Sequence, residues 1–128
     1  MSLKDQLHIM VVDDMSVSRA LIVQALEWMG IRNIVTENDG DSAFRTLSAR
    51  PVHLVISDYN MPGADGLALL KGLRLNQSTQ KIGFILVTGR ADKQVLQQGQ
   101  SLGMNNYITK PFEPQAMKSC IERVVGRL

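Results

Sequence analysis

What most restricts the fold of this chain is an alternation. Five short apolar runs, "LHIMVVD" (7–13), "NIVTE" (33–37), "HLVISD" (53–58), "IGFILVT" (82–88) and "NYIT" (106–109), are separated by stretches of helical period. The runs have strand length and are rich in β-branched residues, with turn-forming residues at their ends. Between them, 15–30, 41–49, 67–74, 91–103 and 114–128 read as helices. In the first, Ser16, Arg19, Val23 and Glu27 share one stripe, with Leu21, Ala25, Trp28 and Met29 largely opposite and Gly30 as a stop. The last opens on Pro114 and carries Met117, Cys120, Ile121, Val124 and Leu128 along one face. Strands buried on both faces and joined by helices form a parallel sheet with helices on either side, connected by right-handed crossovers. The expectation is an α/β, doubly wound (βα)5 sheet in one domain spanning 1–128.

Composition narrows the function. With 128 residues, 45% hydrophobic and 20% charged, the chain can bury a core without disulfides. No stretch approaches the roughly 18 apolar residues of a membrane span, so membrane insertion is not expected. A single cysteine and first residues without the layout of a secretory signal lead us to expect a cytoplasmic protein. The net charge of +2 permits weak attraction to polyanions, yet no basic run is interleaved with aromatics, which argues against nucleic acid.

In open parallel sheets, ligands sit beyond the carboxyl ends of the strands, where the strand order reverses. Asp13 and Asp14 end the first strand, Asp58 the third and Thr88 the fourth, and Lys110 follows the fifth. All five should meet on one edge. Like charges about 4 Å apart repel by roughly 4 kcal/mol at an effective dielectric near 20, so three carboxylates there require a cation. The donors are hard oxygens, which suit Mg²⁺ better than Zn²⁺. Three negative charges would then meet two from the metal and one from Lys110, leaving a neutral site able to receive a phosphoryl group. Asp58, outside the adjacent pair and opening "DYNMPGADG" (58–66), is the candidate nucleophile, since an Asp can attack phosphorus to give an acyl phosphate. Lys110 and the Thr88 hydroxyl can then help neutralise the equatorial oxygens.

Asp13 and Asp14 after an apolar strand, "VISDYNMPGADGL", "LVTGRA" and "NYITKPF", with their spacing, resemble the receiver domain of two-component response regulators over nearly the whole chain. The nearest likeness is to the single-domain chemotaxis regulators. The resemblance implies a flavodoxin-like sheet of order 2-1-3-4-5. It also implies phosphorylation of Asp58 by a sensor histidine kinase, with Mg²⁺ held by Asp14, Asp58 and the Asn60 carbonyl and with Asp13 acting through water. By the same likeness Lys110 contacts the phosphoryl group and its bond to Pro111 is cis. Thr88 and Tyr107 form a switch that alters the face of the fourth predicted helix, fifth strand and fifth predicted helix, and Asn60 and Arg90 set the phosphate lifetime. The implied catalysis is limited to the domain's own phosphorylation and dephosphorylation. The implied output partner of a monomer is a protein such as the flagellar motor switch; a phosphate sink or another phosphorelay is the alternative. Tyr59 and Gly89 stand where Trp and Ala are usual, and both leave the site open.

Plainer roles exist for the same residues. Asp13 and Asp14 could cap a helix, Asp58 could be a turn residue, and Lys110 could be a solvated lysine. Thr88 and Tyr107 could simply pack in strands. His8, His53, Cys120, Trp28 and the seven Met residues read as packing, and Gly99 as either close packing or a loosened helix. An aspartyl-phosphate hydrolase would carry a second acid two residues after its nucleophile, where this chain has Asn60. A flavin binder would carry a Ser/Thr/Gly-rich loop where this chain has two acids.

Overall fold

The computed structural model describes residues 2–89 and 92–128. Its elements are α1 (Leu3–Gln6), β1 (His8–Val12), α2 (Ser16–Trp28), β2 (Asn33–Glu37), α3 (Gly40–Ala49), β3 (Leu54–Asp58), α4 (Gly66–Leu75), β4 (Gly83–Thr88), α5 (Lys93–Ser101), β5 (Asn106–Thr109) and α6 (Pro114–Val125). The strands pair in parallel in the order β2-β1-β3-β4-β5, so the chain reverses direction across the sheet between β1 and β3. The α/β sheet expected from the sequence is present. The single-turn α1 was not foreseen, because four residues are too few to show a helical period.

Strand alternation sorts the core onto the two faces of the sheet. Ile9, Val11, Leu54, Ile56, Ile85 and Val87 pack under α2 and α6, against Ile22, Leu26, Met117 and Ile121. Met10, Val12, Val55, Phe84 and Leu86 pack under α3 and α4, against Ala43, Leu47, Leu70 and Leu73. The central strands β1, β3 and β4 are buried almost throughout, whereas the edge strands β2 and β5 are only partly covered. Burial on both faces therefore describes the middle of the sheet and not its rims.

Two readings of α2 are corrected. Its buried stripe is Ile22, Ala25 and Leu26, continued by Met29, an i, i+3, i+4, i+7 pattern. Leu21 and Trp28 lie one residue, about 100° of helical turn, to the side of that stripe. They are 57% and 60% exposed, so Trp28 does not pack in the core. Met15 is also exposed, while Met10, Met29, Met61 and Met117 are buried as expected. In α5, a Cβ on Gly99 would meet Met104 Sδ at 2.8 Å, which favours the close-packing role for that glycine.

Gly66 sets the path of the chain at the head of α4. A Cβ there would stand 2.5 Å from the Asp58 carbonyl oxygen and 2.9 Å from Leu86 Cδ1. Only a residue without a side chain lets the start of α4 press against the end of β3. The Gly66 amide uses this proximity and donates to the Tyr59 carbonyl at 3.0 Å.

Candidate functional site

The carboxyl ends of β1, β3 and β4 deliver Asp13, Asp58 and Thr88 to one edge, and β5 runs into Lys110. Asp13 is fully buried, Asp58 is 6% exposed, Thr88 is buried and Asp14 is exposed. One oxygen from each of Asp13, Asp14 and Asp58 lies within 4.8 Å of the other two. Lys110 Nζ is 3.2 Å from Asp58 Oδ1 and 3.6 Å from Asp13 Oδ2. Its backbone amide donates to the Thr88 carbonyl at 2.9 Å, which fixes the loop after β5 to the end of β4. The Lys110–Pro111 peptide is cis, as the resemblance implied.

Capping does not account for the acidic doublet. Asp39, Asp65 and Asp92 each cap a helix, accepting from the amides of Ser42, Ala68 and Gln94. Helix α2 instead begins after Met15, with no side-chain cap. Asp13 Oδ1 accepts from the Met15 amide at 3.0 Å, an Asx-type turn that orients the carboxylate. Its other oxygen accepts from the Ser18 hydroxyl at 2.5 Å, and its carbonyl accepts from Arg19 Nη1 at 2.6 Å. Both Asp13 oxygens thus carry a hydrogen bond inside the protein, while Asp14 is exposed beside them.

Burial is the largest influence on the Asp58 carboxyl and pushes it above the ordinary Asp range. The Lys110 ammonium opposes that rise, by charge and by hydrogen bond, and the neighbouring Asp13 adds to it. One ammonium, in ion-pair range of Asp13 and Asp58, thus stands at a cluster of three acids. This donor set, all oxygen and in excess negative charge, fits a hard divalent cation such as Mg²⁺. Asn60 lines an open cavity of about 410 Å³ together with Asp14, Tyr59 and Asp65, beside the cluster.

Thr88 pairs with Thr109 and Leu86 with Tyr107, so Thr88 and Tyr107 share one face of the sheet, a pleat apart. Tyr107 is 39% exposed. Arg90 lies outside the described residues. The residue missed from the sequence is Ser18, whose Oγ accepts from Lys110 Nζ at 2.8 Å. The available signal was its position: helical side chains lean toward the N-terminus, so a polar residue in the first turn of α2 is directed back at the strand end.

The comparisons with known proteins agree with this geometry. The response regulator receiver domain family matches residues 9–122. A probable chemotaxis protein CheY of Rhizobium etli is 39% identical over 128 residues, covering 100% of this chain and 99% of its own. The chemotaxis protein CheY1 of Helicobacter pylori J99 is 34% identical, covering 94% and 98%. Among solved structures, Vibrio cholerae CheY4 superposes with a TM-score of 0.86 at 24% identity, covering 92% of this chain and 98% of that one. The receiver domain of a Pseudomonas aeruginosa sensor histidine kinase superposes with a TM-score of 0.85 at 24% identity, covering 94% and 98%. That structure is described with a magnesium ion coordinated in its active site cleft; at this identity both likenesses concern the fold. With an acidic cluster at the reversal point of a 2-1-3-4-5 sheet, this chain belongs to the response regulator receiver domain family, as a CheY-type member of two-component signalling.

Proposed function

We propose that residues 1–128 act as one receiver unit that accepts a phosphoryl group on Asp58 from a phosphohistidine of a sensor histidine kinase. The observation that carries this reading is the Lys110 ammonium 3.2 Å from Asp58, within a cluster of three carboxylates. An Asp58 oxygen bonds to phosphorus as the phosphorus–nitrogen bond breaks, and the bonding pair returns to the donor imidazole. Asp58 and Asp14, with the Asn60 carbonyl, would hold Mg²⁺, and Asp13 would reach it through water. The metal supplies charge neutralisation at the transferring phosphoryl oxygens.

The chain's own residues do the rest. Asp58 supplies the attacking oxygen, and burial with the Lys110 contact limits the ways it can point. Lys110 donates to a phosphoryl oxygen, and the Thr88 hydroxyl donates to another, drawing Thr88 toward the group. Tyr107, a pleat away on the same face, turns inward and alters the surface of α5, β5 and α6. That surface would engage the output partner, for which the likeness to CheY proteins favours the flagellar motor switch and a role in chemotaxis. Asn60 and Arg90 would govern how water reaches the acyl phosphate. The absence of a second acid at Asn60 favours a phosphoacceptor over an ester hydrolase.

The test is titration with acetyl phosphate, and separately with beryllofluoride, in the presence and absence of Mg²⁺. Wild type should take up one phosphoryl group only with Mg²⁺, with amide shifts along α5, β5 and α6. Asp58→Asn should take up none. An unchanged response in Asp58→Asn would overturn the assignment.

A further inference from the structure

We propose that Ser18 is a positioning residue for phosphoryl transfer, tethering the Lys110 ammonium so that it stands closer to Asp58 than to Asp13. This rests on the phosphoacceptor reading of Asp58 above. A serine hydroxyl has one proton to give and lone pairs to accept with. Here the proton goes to Asp13 Oδ2 at 2.5 Å, and a lone pair takes a proton from Lys110 Nζ at 2.8 Å. The hydroxyl therefore bridges the ammonium and the buried carboxylate, which themselves stay within ion-pair range of each other. Lys110 Nζ is 3.6 Å from Asp13 Oδ2, beyond good hydrogen-bond distance, but 3.2 Å from Asp58 Oδ1.

The tether has a direction. Asp13 is fully buried and is the other acid within ion-pair range of the ammonium. A lysine tip on a four-carbon stem follows whichever carboxylate accepts it best. With one N–H group given to Ser18, the ammonium is held short of Asp13 and keeps its other N–H groups for Asp58 and for an incoming phosphoryl oxygen. Without the hydroxyl, Lys110 closes onto Asp13 and withdraws from the reacting atoms. Ser18 touches neither the attacking oxygen nor phosphorus in this arrangement; it acts through Lys110.

The test compares wild type, Ser18→Ala and Ser18→Thr in the full chain. The readouts are the acetyl phosphate phosphorylation rate at saturating Mg²⁺ and the ¹⁵Nζ resonance of Lys110, followed in protein without phosphodonor. Loss of one charged hydrogen bond that positions the cation should lower the rate in Ser18→Ala by about five- to tenfold. The Lys110 resonance should move, and Ser18→Thr, which keeps the hydroxyl, should restore both. Ala is a strong helix former at this partly exposed position, so the variant should fold. A wild-type phosphorylation rate in Ser18→Ala, whatever the Lys110 resonance does, or an unmoved resonance, would overturn the proposal. If wild type itself takes no phosphoryl group on Asp58, the phosphoacceptor reading fails, while the Lys110 resonance still decides whether Ser18 places the ammonium.

Discussion

At their carboxyl ends β1, β3 and β4 carry Asp13, Asp58 and Thr88, all buried; at their amino ends the same sheet carries His8 and His53, both exposed. The His53 ring turns its polarity to the backbone. His53 Nδ1 accepts from the His8 amide at 3.0 Å, and the two rings sit 5.7 Å apart in a tilted arrangement. The carboxylates have partners too, Met15 and Ser18 for Asp13 and Lys110 for Asp58, but one ammonium does not balance the clustered acids, and burying their charge is costly. One end of the sheet is therefore finished with groups that solvate themselves. The other end keeps charge out of water, where a metal ion and a phosphoryl group can compensate it.

If this contrast is right, the carboxyl edge should be the less forgiving of added volume. Gly66→Ala forces a methyl group to within 2.5 Å of the Asp58 carbonyl oxygen, which cannot move without displacing the end of β3. Overpacking against backbone should cost about 3 kcal/mol, at the upper end of the usual range. Urea unfolding should show it as a lower midpoint at unchanged slope. A loss below about 0.5 kcal/mol would mean that this edge is as soft as a surface loop.

The next largest effect separates burial itself from the site. Cys120 lies on α6, away from the cluster, and burial pushes its thiol up to about 11. Its ordinary value is 9.0, so the native thiolate fraction at pH 8 should be about 100-fold below that of the unfolded chain, and alkylation correspondingly slower. The folded form holds its proton more tightly than the unfolded form. Stability from this group is thus complete below pH 9.0 and lost as pH rises toward about 11. Thiol labelling with and without denaturant measures both.

Asp58 shows the same desolvation where it has been put to use. Its folded pKa is raised from 3.8, the reverse of the ordinary salt-bridged Asp, so the native state binds the proton more tightly. Stability attributable to this group is present below pH 3.8 and declines as pH rises through the elevated folded value. Asp58→Asn removes the charge at nearly constant shape and should raise the metal-free melting temperature at neutral pH by a few degrees, while weakening Mg²⁺ binding. A lower melting temperature would show that the Lys110 contact outweighs the burial of the acid.

Much of this architecture was legible because it depends on strong, short-range signals. Apolar runs of strand length alternating with helical stretches leave few topologies, and strand ends place Asp13, Asp58, Thr88 and Lys110 on one edge whatever the details of packing. Three features were hidden for physical reasons. Helix α1 is a single turn with no period to read. The exposure of Leu21 and Trp28 depends on helical phase, where one residue, about 100°, separates core from solvent. Ser18 meets Lys110 across 92 positions, and although a serine in the first turn of α2 is directed at the strand end, nothing in its position names so distant a partner.

The smallest effect belongs to the amino edge. His53→Ala removes the acceptor for the His8 amide, but that amide lies at an exposed site where water can replace the ring nitrogen. The other hydrogen bonds at His53, donation of its amide to the His8 carbonyl and acceptance by its carbonyl of the Gly83 amide, each at 3.0 Å, belong to the backbone and survive the substitution. The cost should be under about 0.5 kcal/mol, within the usual range for surface changes. Acetyl phosphate phosphorylation and Mg²⁺ binding should match wild type, since the histidine stands at the opposite end of β3 from Asp58. A substantial loss of either would show that the two ends of the sheet are coupled through β3, and the division between a solvating edge and a working edge would have to be abandoned.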